Sequence, residues 1–454
     1  MAALDRIESV HDDIAVTGVA CRFSGIEDAT VFWHEILKGR IVPGNQPRKL
    51  ESLYSCDARR VLLPADTAPG EDKAVYFTEQ LISKAFEDAG YNAGLLPTDR
   101  VGLFMGVSAV LPPARVNLLQ QTLVLEQTEA LFRRMGFPEE TFEKLKSFWA
   151  ETLPPLSFKT LEGAWAHTAA IRVAQTFGFA GPAGVYDAGA VSGFSALQAA
   201  CDSLRTKRCD FALAVGVQPP FSPEVLKAFG CVMPLNTREQ FLPFDKSSDG
   251  TVPGEGGVCL VLQRMRSAEE NNTQIYGLIR GTGTMVSKVG RNGSGNQVQN
   301  LADGLARAFR RCCRKVEAGM DAIDYYEANG SGIPEEDAAE LKFLRELTAV
   351  RPVDLPPLAV SANRNLIGHT FAAAGLAGVL KALLALRMKI IPPAAADERE
   401  FQKSGAGLCS IQTARPWISG GGRTRPRRAA TGGFDFTGAA ACAIVEVYPE
   451  VNRD

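Results

Sequence analysis

Apolar residues in this chain fall into runs of two kinds. Short runs rich in Val, Ile, Leu and Ala predict strands at Ile14–Gly18, Val101–Gly106, Phe211–Val217, Val258–Gln263, Gln274–Gly281, Asp324–Ala328, Leu358–Ser361 and Ala443–Val447. Longer stretches with apolar residues at helical spacing predict helices at Ala190–Leu204, Asn300–Ala318, Glu335–Leu347 and Ala372–Met388. Strands alternating with helices predict an α/β fold of layered helices and sheets. No tandem repeat is visible, so any duplication has diverged beyond sequence recognition. Residues 40–75, 284–299 (TMVSKVGRNGSGNQVQ) and 419–428 (SGGGRTRPRR) read as loops. The stretch from 111 to 160, with its charged ETFEKLKSFWAETL, reads as a helical insertion or cap laid on the main fold.

Composition narrows the class. Lys plus Arg is 49 and Asp plus Glu is 51, so the net charge is 49 − 51 = −2, which argues against a nucleic-acid binder working by bulk electrostatics. An apolar fraction of 46% with 22% charged residues is that of a globular protein, and 454 residues suffice for two or three domains or one large duplicated one. The start, MAALDRIESVHDDIAVTG, is too acidic for a signal peptide. The apolar stretch Phe371–Leu380 stops at Lys381, short of the roughly 20 residues that span a bilayer. A cytoplasmic protein without a membrane span is expected.

The chemistry-bearing residues are sparse. Ten cysteines without a CxxC pair read as reduced thiols, and four histidines without HExxH make a metal site improbable. Gly281–Gly283 and Gly420–Gly422 lack a GxGxxG frame and read as turns. The basic run at 419–428 reads first as a solvated face, with docking of an acidic partner as the functional alternative. His11, His34 and His167 read as a tail, a helix-surface and a packing residue.

Five ordered segments resemble the β-ketoacyl synthase (ketosynthase) domains of modular polyketide and polyunsaturated-fatty-acid synthases. They are IAVTGVACRFSG with VFWHEILKGR, LPFDKSSDGTVPGEGG (Phe244, Asp245, Gly250, Gly254, Glu255), DYYEANGSGIPEEDAAE, ANRNLIGHTFAAAGLAG and RRAATGGFDFTG. The resemblance covers nearly the whole chain. It implies a thiolase-like fold: two related α/β halves, 1–265 and 266–454, forming a five-layer αβαβα sandwich, dimeric, with an insertion near 111–160.

The same resemblance implies lost chemistry. Such enzymes need a thiolate at a helix start, where the dipole and backbone N–H groups lower the thiol pKa, and two imidazoles for decarboxylation. The corresponding turn here is Asp187-Ala188-Gly189-Ala190-Val191-Ser192-Gly193, and counting eleven back from the packing residue Cys201 puts Ala190 at the nucleophile position. Asn329, in Glu327-Ala328-Asn329-Gly330-Ser331-Gly332-Ile333, stands where the first imidazole is expected; its amide still donates hydrogen bonds. The second is His369, with Thr370 beside it and Arg364 at the place of a usual lysine. Asp435-Phe436-Thr437-Gly438 carries two larger residues where glycines are expected, which implies a stiffer gating loop. Ser192 is expected to face away from the pocket, and Cys231 to lie in a loop or edge segment without reach to His369. The joint departures at Gly189, Val191, Gly193 and Asn329 argue that Ala190 is a natural residue.

The reading is a non-condensing protein of polyketide or fatty-acid biosynthesis. It would act like a chain-length factor, partnering an acyl carrier protein and forming a homodimer or a heterodimer with an active ketosynthase. It binds no cofactor of its own. The carrier's phosphopantetheine arm would tether the substrate, with Ser331, Phe436, Arg364 and Thr370 as contacts. The enzymatic alternative is decarboxylation of a malonyl carrier, or other non-covalent chemistry, using His369 and Asn329. The backbone N–H groups of Ala190 and Phe436 would then form the oxyanion site.

Overall fold

A computed structural model describes residues 13–39, 73–91, 98–108, 113–153, 155–219, 221, 223–238, 241–287, 297–316, 322–352, 355–394, 407–418 and 425–449. The first half runs β1 (Ile14–Phe23), α1 (Ala29–Leu37), α2 (Lys73–Asp88) and β2 (Val101–Val107). Cap helices α3 (Pro113–Leu119), α4 (Leu125–Arg134), α5 (Glu139–Thr152) and α6 (Phe158–Ala164) follow. Then come α7 (Ala166–Phe177), β3 (Ala183–Tyr186), α8 (Ser192–Arg205), β4 (Phe211–Gln218), α9 (Pro223–Val232) and β5 (Gly256–Arg264). In the second half α10 (Met265–Glu270) leads to β6 (Gly277–Val286), α11 (Gln297–Val316), β7 (Tyr325–Glu327), α12 (Pro334–Thr348), β8 (Leu358–Ser361), α13 (Arg364–Ile367) and α14 (Ala374–Met388). The chain closes with β9 (Ile390–Ile391), β10 (Leu408–Ser410), β11 (Arg415–Pro416), β12 (Arg428–Phe434) and β13 (Ala439–Glu446).

Strand pairing exposes a duplication. In the first half β1–β5 and β5–β4 are antiparallel, and β4–β2 and β2–β3 parallel. In the second, β6–β13 and β13–β12 are antiparallel, and β12–β7 and β7–β8 parallel, with β10 added outside β8. The halves join where Ile14–Val16 of β1 pair with Ile279–Gly277 of β6. β9 and β11 form a separate small pair.

Side-chain alternation along these strands sets the layers, because successive residues of a strand face opposite sides. Phe211, Leu213, Val215 and Val217 of β4 pack with α2 and α7, whereas Ala212 and Ala214 face α8 and α14. Ala440, Cys442 and Ile444 of β13 pack with α11 and α12, whereas Ala441, Ala443 and Val445 face the central helices. Two outer helix layers, two sheet halves and the central α8/α14 layer thus make the five layers.

The expected strands and helices are present, with several shifts. β6 starts later and runs further than Gln274–Gly281 because β13 holds it through Val286, so 284–286 are strand, and α11 already begins at Gln297; 288–296 lie outside the described residues. The expected loop 40–75 lies outside them up to 72, and α2 begins at Lys73. Between 113 and 164 the described residues form the four cap helices α3–α6, with a π-turn at Gln120–Val124. Short strands β3 and β12 (RAATGGF) carry too few large apolar residues to be read from sequence.

Lys381 does not stop an apolar helix. α14 continues to Met388 through the middle of the fold, and Lys381 is 1% exposed, 2.9 Å from Glu327 Oε2. The basic run is not a free face where it is described: Arg425 pairs with Asp324, Arg427 donates to the Trp417 carbonyl at 2.8 Å, and Arg428 pairs with Glu446. His34 is exposed on α1 as expected. His167 is also exposed rather than packed inside, edge-on to Trp165 with ring centroids 6.2 Å apart. His11 lies outside the described residues.

Candidate active site

Each central helix begins with a single 3₁₀ turn, Gly189–Val191 before α8 and Phe371–Ala373 before α14. The two turns meet at the centre of the molecule, and there the structure gathers residues far apart in sequence. Ala190 is buried on the first turn and is followed by α8 from Ser192, two residues later than the predicted helix start. The Ser192 hydroxyl accepts from the Ala188 N–H at 2.8 Å and donates to the Gly189 carbonyl at 2.7 Å, so it serves its own turn, as expected of a residue facing away. Cys201 is wholly buried in the central core. Cys231 is exposed in α9, not in a loop or edge segment.

His369 is fixed from both sides. Its N–H donates to the Val252 carbonyl at 2.7 Å, and its carbonyl accepts from the Gly254 N–H at 2.9 Å. A Cβ at Gly254 would overlap the Ile367 carbonyl oxygen, which is why the VPGEGG stretch needs glycine there. Glu255 Oε1 accepts the Phe221 N–H at 2.9 Å, and Phe221 packs edge-on against Phe371. The imidazole lies over Phe371 (centroids 4.2 Å, planes at 27°) and its Nδ1 accepts the Phe371 N–H at 3.0 Å. That bond assigns the Nε2–H tautomer. Burial, reinforced by the nearby Arg364 charge, holds the ring well below the usual imidazole range, so it is neutral. A neutral ring whose free nitrogen carries the proton is a hydrogen-bond donor at that atom.

Asn329 and Arg364 form the neighbouring cluster. The Arg364 guanidinium donates through Nη2 to Asn329 Oδ1; Asn329 Nδ2 and Arg364 Nη1 are buried without a partner among the described residues. The Asn329 and Gly330 N–H groups donate to Glu340 at 2.8 and 3.0 Å, and Asp337 accepts from the Phe244 and Gly332 N–H groups at 2.6 and 3.2 Å. Burial pushes Glu336 up to about 7, Asp337 up to about 6 and Glu340 up to about 8, and pulls Arg364 down to about 10. None of the three acids was singled out from the sequence, where PEEDAAE looks like an ordinary acidic helix start.

The remaining predicted contacts separate. Thr370 is fully buried, and its hydroxyl has no partner among the described residues. Ser331 is fully buried too, but its hydroxyl is engaged, donating to Asp337 Oδ1 of α12 at 3.4 Å and accepting from the Ile333 N–H at 3.2 Å. The Phe436 side chain is 46% exposed. The expected oxyanion site is not open: the Ala190 N–H donates to Asp435 Oδ2 at 3.1 Å. Sequence reasoning missed this contact, since residues 245 apart carry no local signal of pairing.

Comparisons with known proteins agree with this architecture. The family model of the β-ketoacyl synthase N-terminal domain matches residues 11–268, and that of the C-terminal domain matches 276–396. Polyketide synthase ThaG of Burkholderia thailandensis is 27% identical over 99% of this chain, and erythronolide synthase EryA3 of Saccharopolyspora erythraea 28% identical over 97%. The chain spans only 8% and 13% of those proteins. Among solved structures, the module 6 ketosynthase of the Bacillus subtilis 168 bacillaene synthase superposes with a TM-score of 0.74 at 24% identity, covering 96% of this chain and 72% of that one. The OzmH KS7 oxazolomycin ketosynthase domain of Streptomyces albus JA3453 gives 0.74 at 21%, covering 98% and 75%. The fold is thus the thiolase-like fold of ketosynthases, and with both domain models matched in order, the chain belongs to the β-ketoacyl synthase family.

Proposed function

We propose that this chain is a non-condensing ketosynthase domain of polyketide or fatty-acid biosynthesis. It holds a carrier-bound acyl chain and pairs with an active ketosynthase in the manner of a chain-length factor. The observation that carries this reading is Ala190: a methyl group stands on the turn that opens α8, where a thiolate would gain from the helix dipole and backbone N–H groups. A methyl cannot form a thioester, and Cys201, about three helical turns further on, is sealed in the core. Asn329 provides an amide where the resemblance expects an imidazole, and His369 is neutral with Nδ1 engaged.

Binding of an acyl thioester on a phosphopantetheine arm is supported by two buried groups without partners among the described residues, Asn329 Nδ2 and Thr370 Oγ1. Buried polar groups left unpaired are costly, and an acyl carbonyl would satisfy an amide donor. Pairing with a second ketosynthase is supported by β3, the terminal strand of the large sheet, whose outer edge carries no strand among the described residues. The decarboxylase alternative is weakened by Asp435, which already takes the Ala190 N–H.

Mass spectrometry tests the reading. The purified chain is incubated with acyl- and malonyl-loaded carrier protein, and separately with an active ketosynthase under native conditions. We expect no acyl adduct on this chain, an unchanged malonyl carrier, and a heterodimer. An adduct would overturn the proposal; acetyl carrier that disappears with His369→Ala would transfer the site to the decarboxylase reading.

A further inference from the structure

We propose that Asp435 is a built-in occupant of the oxyanion position, so that this site rejects developing negative charge irrespective of which residue stands at 190. The inference rests on the reading of Ala190 as the site's reactive position. It adds that the loss of condensation chemistry lies in the β12–β13 hairpin as well as in the missing thiol.

Three observations carry it. First, Asp435 is 4% exposed, and among the described residues its carboxylate is held by backbone amides: Oδ2 accepts from the Ala190 N–H at 3.1 Å and Oδ1 from the Thr437 N–H at 2.8 Å. It forms no ion pair among the described residues, so the turns themselves act as its anion receptor. Second, the hairpin tip is closed around it, with the Asp435 N–H donating to the Ala439 carbonyl and the Gly438 N–H to the Asp435 carbonyl, both at 2.8 Å. Third, Gly189 is shaped for it. This residue has φ +57°, and a Cβ there would fall inside the van der Waals surface of Asp435 Oδ2. Glycine at 189 and aspartate at 435 are therefore complementary: the first removes the atom that would exclude the second.

The chemical consequence follows from charge. A backbone N–H stabilises an oxyanion or enolate oxygen only if it is free to donate when the charge develops. Here the Ala190 N–H already serves a carboxylate, and that nitrogen is two bonds from the Ala190 Cβ. A thiolate or an enolate beside it would meet a like charge in a buried setting, where such repulsion is strongest. A neutral carbonyl meets no such penalty. The site is accordingly suited to holding a neutral acyl thioester and unsuited to generating a carbanion equivalent from it.

The test places a thiol at the position and varies only the carboxylate. Alkylation by iodoacetamide is followed by intact mass near neutral pH for Ala190→Cys alone and in combination with Asp435→Asn, Asp435→Gly or Gly189→Ala. With Asp435 present the thiol should alkylate slowly, and its pH–rate profile should be displaced to higher pH. Asp435→Asn keeps the shape and removes the charge, and Gly189→Ala expels the carboxylate from the other side. Each should raise the rate about tenfold or more, a displacement of about one pH unit. Equal rates and superimposable profiles in all folded variants would overturn the proposal, and Asp435→Asn, the most conservative change, decides it if the glycine variant does not fold. No carrier protein takes part, so this result stands or falls separately from the acylation and pairing experiment.

Discussion

The turn that opens α8 and the turn that opens α14 are the same structure built twice, and they differ where chemistry is concerned. Residue 189 corresponds to 371 and residue 187 to 369, since 371 − 189 = 182 and 369 − 187 = 182. In both turns the residue opening the 3₁₀ segment has positive φ, +57° at Gly189 and +38° at Phe371. In both, the side chain two residues earlier accepts that residue's N–H: Asp187 Oδ1 at 3.4 Å, His369 Nδ1 at 3.0 Å. The first turn is glycine-opened and receives a foreign carboxylate. The second is opened by a phenylalanine stacked on its own histidine and on Phe229. One duplicated backbone device thus became an anion receptor in one half and an imidazole holder in the other. The lesson is that the conformation belongs to the fold, and the chemistry to the few side chains placed on it.

The central helices diverge most in charge, and that difference should give the largest effect. Lys381 of α14 corresponds to Ala199 of α8 (381 − 182 = 199). It is held by Glu327 at 2.9 Å and Ser361 Oγ at 2.7 Å. Lys381→Met leaves the buried Glu327 carboxylate with hydroxyl donors from Tyr325 and Ser361 but without its counter-charge, and should cost about 3–5 kcal/mol in denaturant unfolding. Adding Glu327→Gln should return more than half of it; a single variant as stable as the parent would show that the pair is not fully buried in solution.

The halves should also respond oppositely to pH. Glu336, Asp337 and Glu340 of α12 have folded-state pKa values raised above their unfolded ones, to about 7, about 6 and about 8. The folded chain then binds more protons than the unfolded one across this window, so stability is greatest at its acid end and falls as pH rises through it. Asp210 of the first half, lowered by its Arg100 and Arg264 partners, contributes stability that is lost only as pH falls toward the acid range. Melting temperature measured from about pH 6.5 to about pH 8, above the range in which an unfolded His369 takes up its proton, should therefore decline, and Glu340→Gln should flatten the slope. A profile rising with pH would break this assignment.

The two acceptor side chains should rank by burial. His369→Ala removes a buried ring and an acceptor and should cost about 2 kcal/mol or more, with His369→Asn restoring part by accepting the same N–H. Asp187 is exposed and its bond is longer, so Asp187→Ala should cost about 0.5 kcal/mol or less. The smallest effect belongs to the cap, which has no counterpart among the described residues of the second half: Phe148, 60% exposed on α5, should tolerate Ser within about 0.5 kcal/mol. A large loss there would mean that the cap is packed more tightly than its exposure shows.

What the sequence determined by itself was local or carried by ordered motifs. Periodicity gave the long amphipathic α11 and the apolar runs of β2, β4 and β5, because a strand or helix with one fixed face must repeat its apolar residues at that element's period. The ordered motifs gave the family, and with it Ala190, Asn329 and His369 as residues to bring together. Tertiary structure alone decided the rest. The matching strand order of the two halves, which the resemblance implied, leaves no visible sequence repeat because strand pairing is a backbone property that unrelated side chains satisfy equally well. The neutral state of His369 was decided by burial and the Arg364 charge, and its tautomer by the Phe371 N–H, not by its residue type. The contact between Ala190 and Asp435 depends on a hairpin returning to a turn 245 residues away, and no one-dimensional pattern encodes which of many aspartates will arrive there.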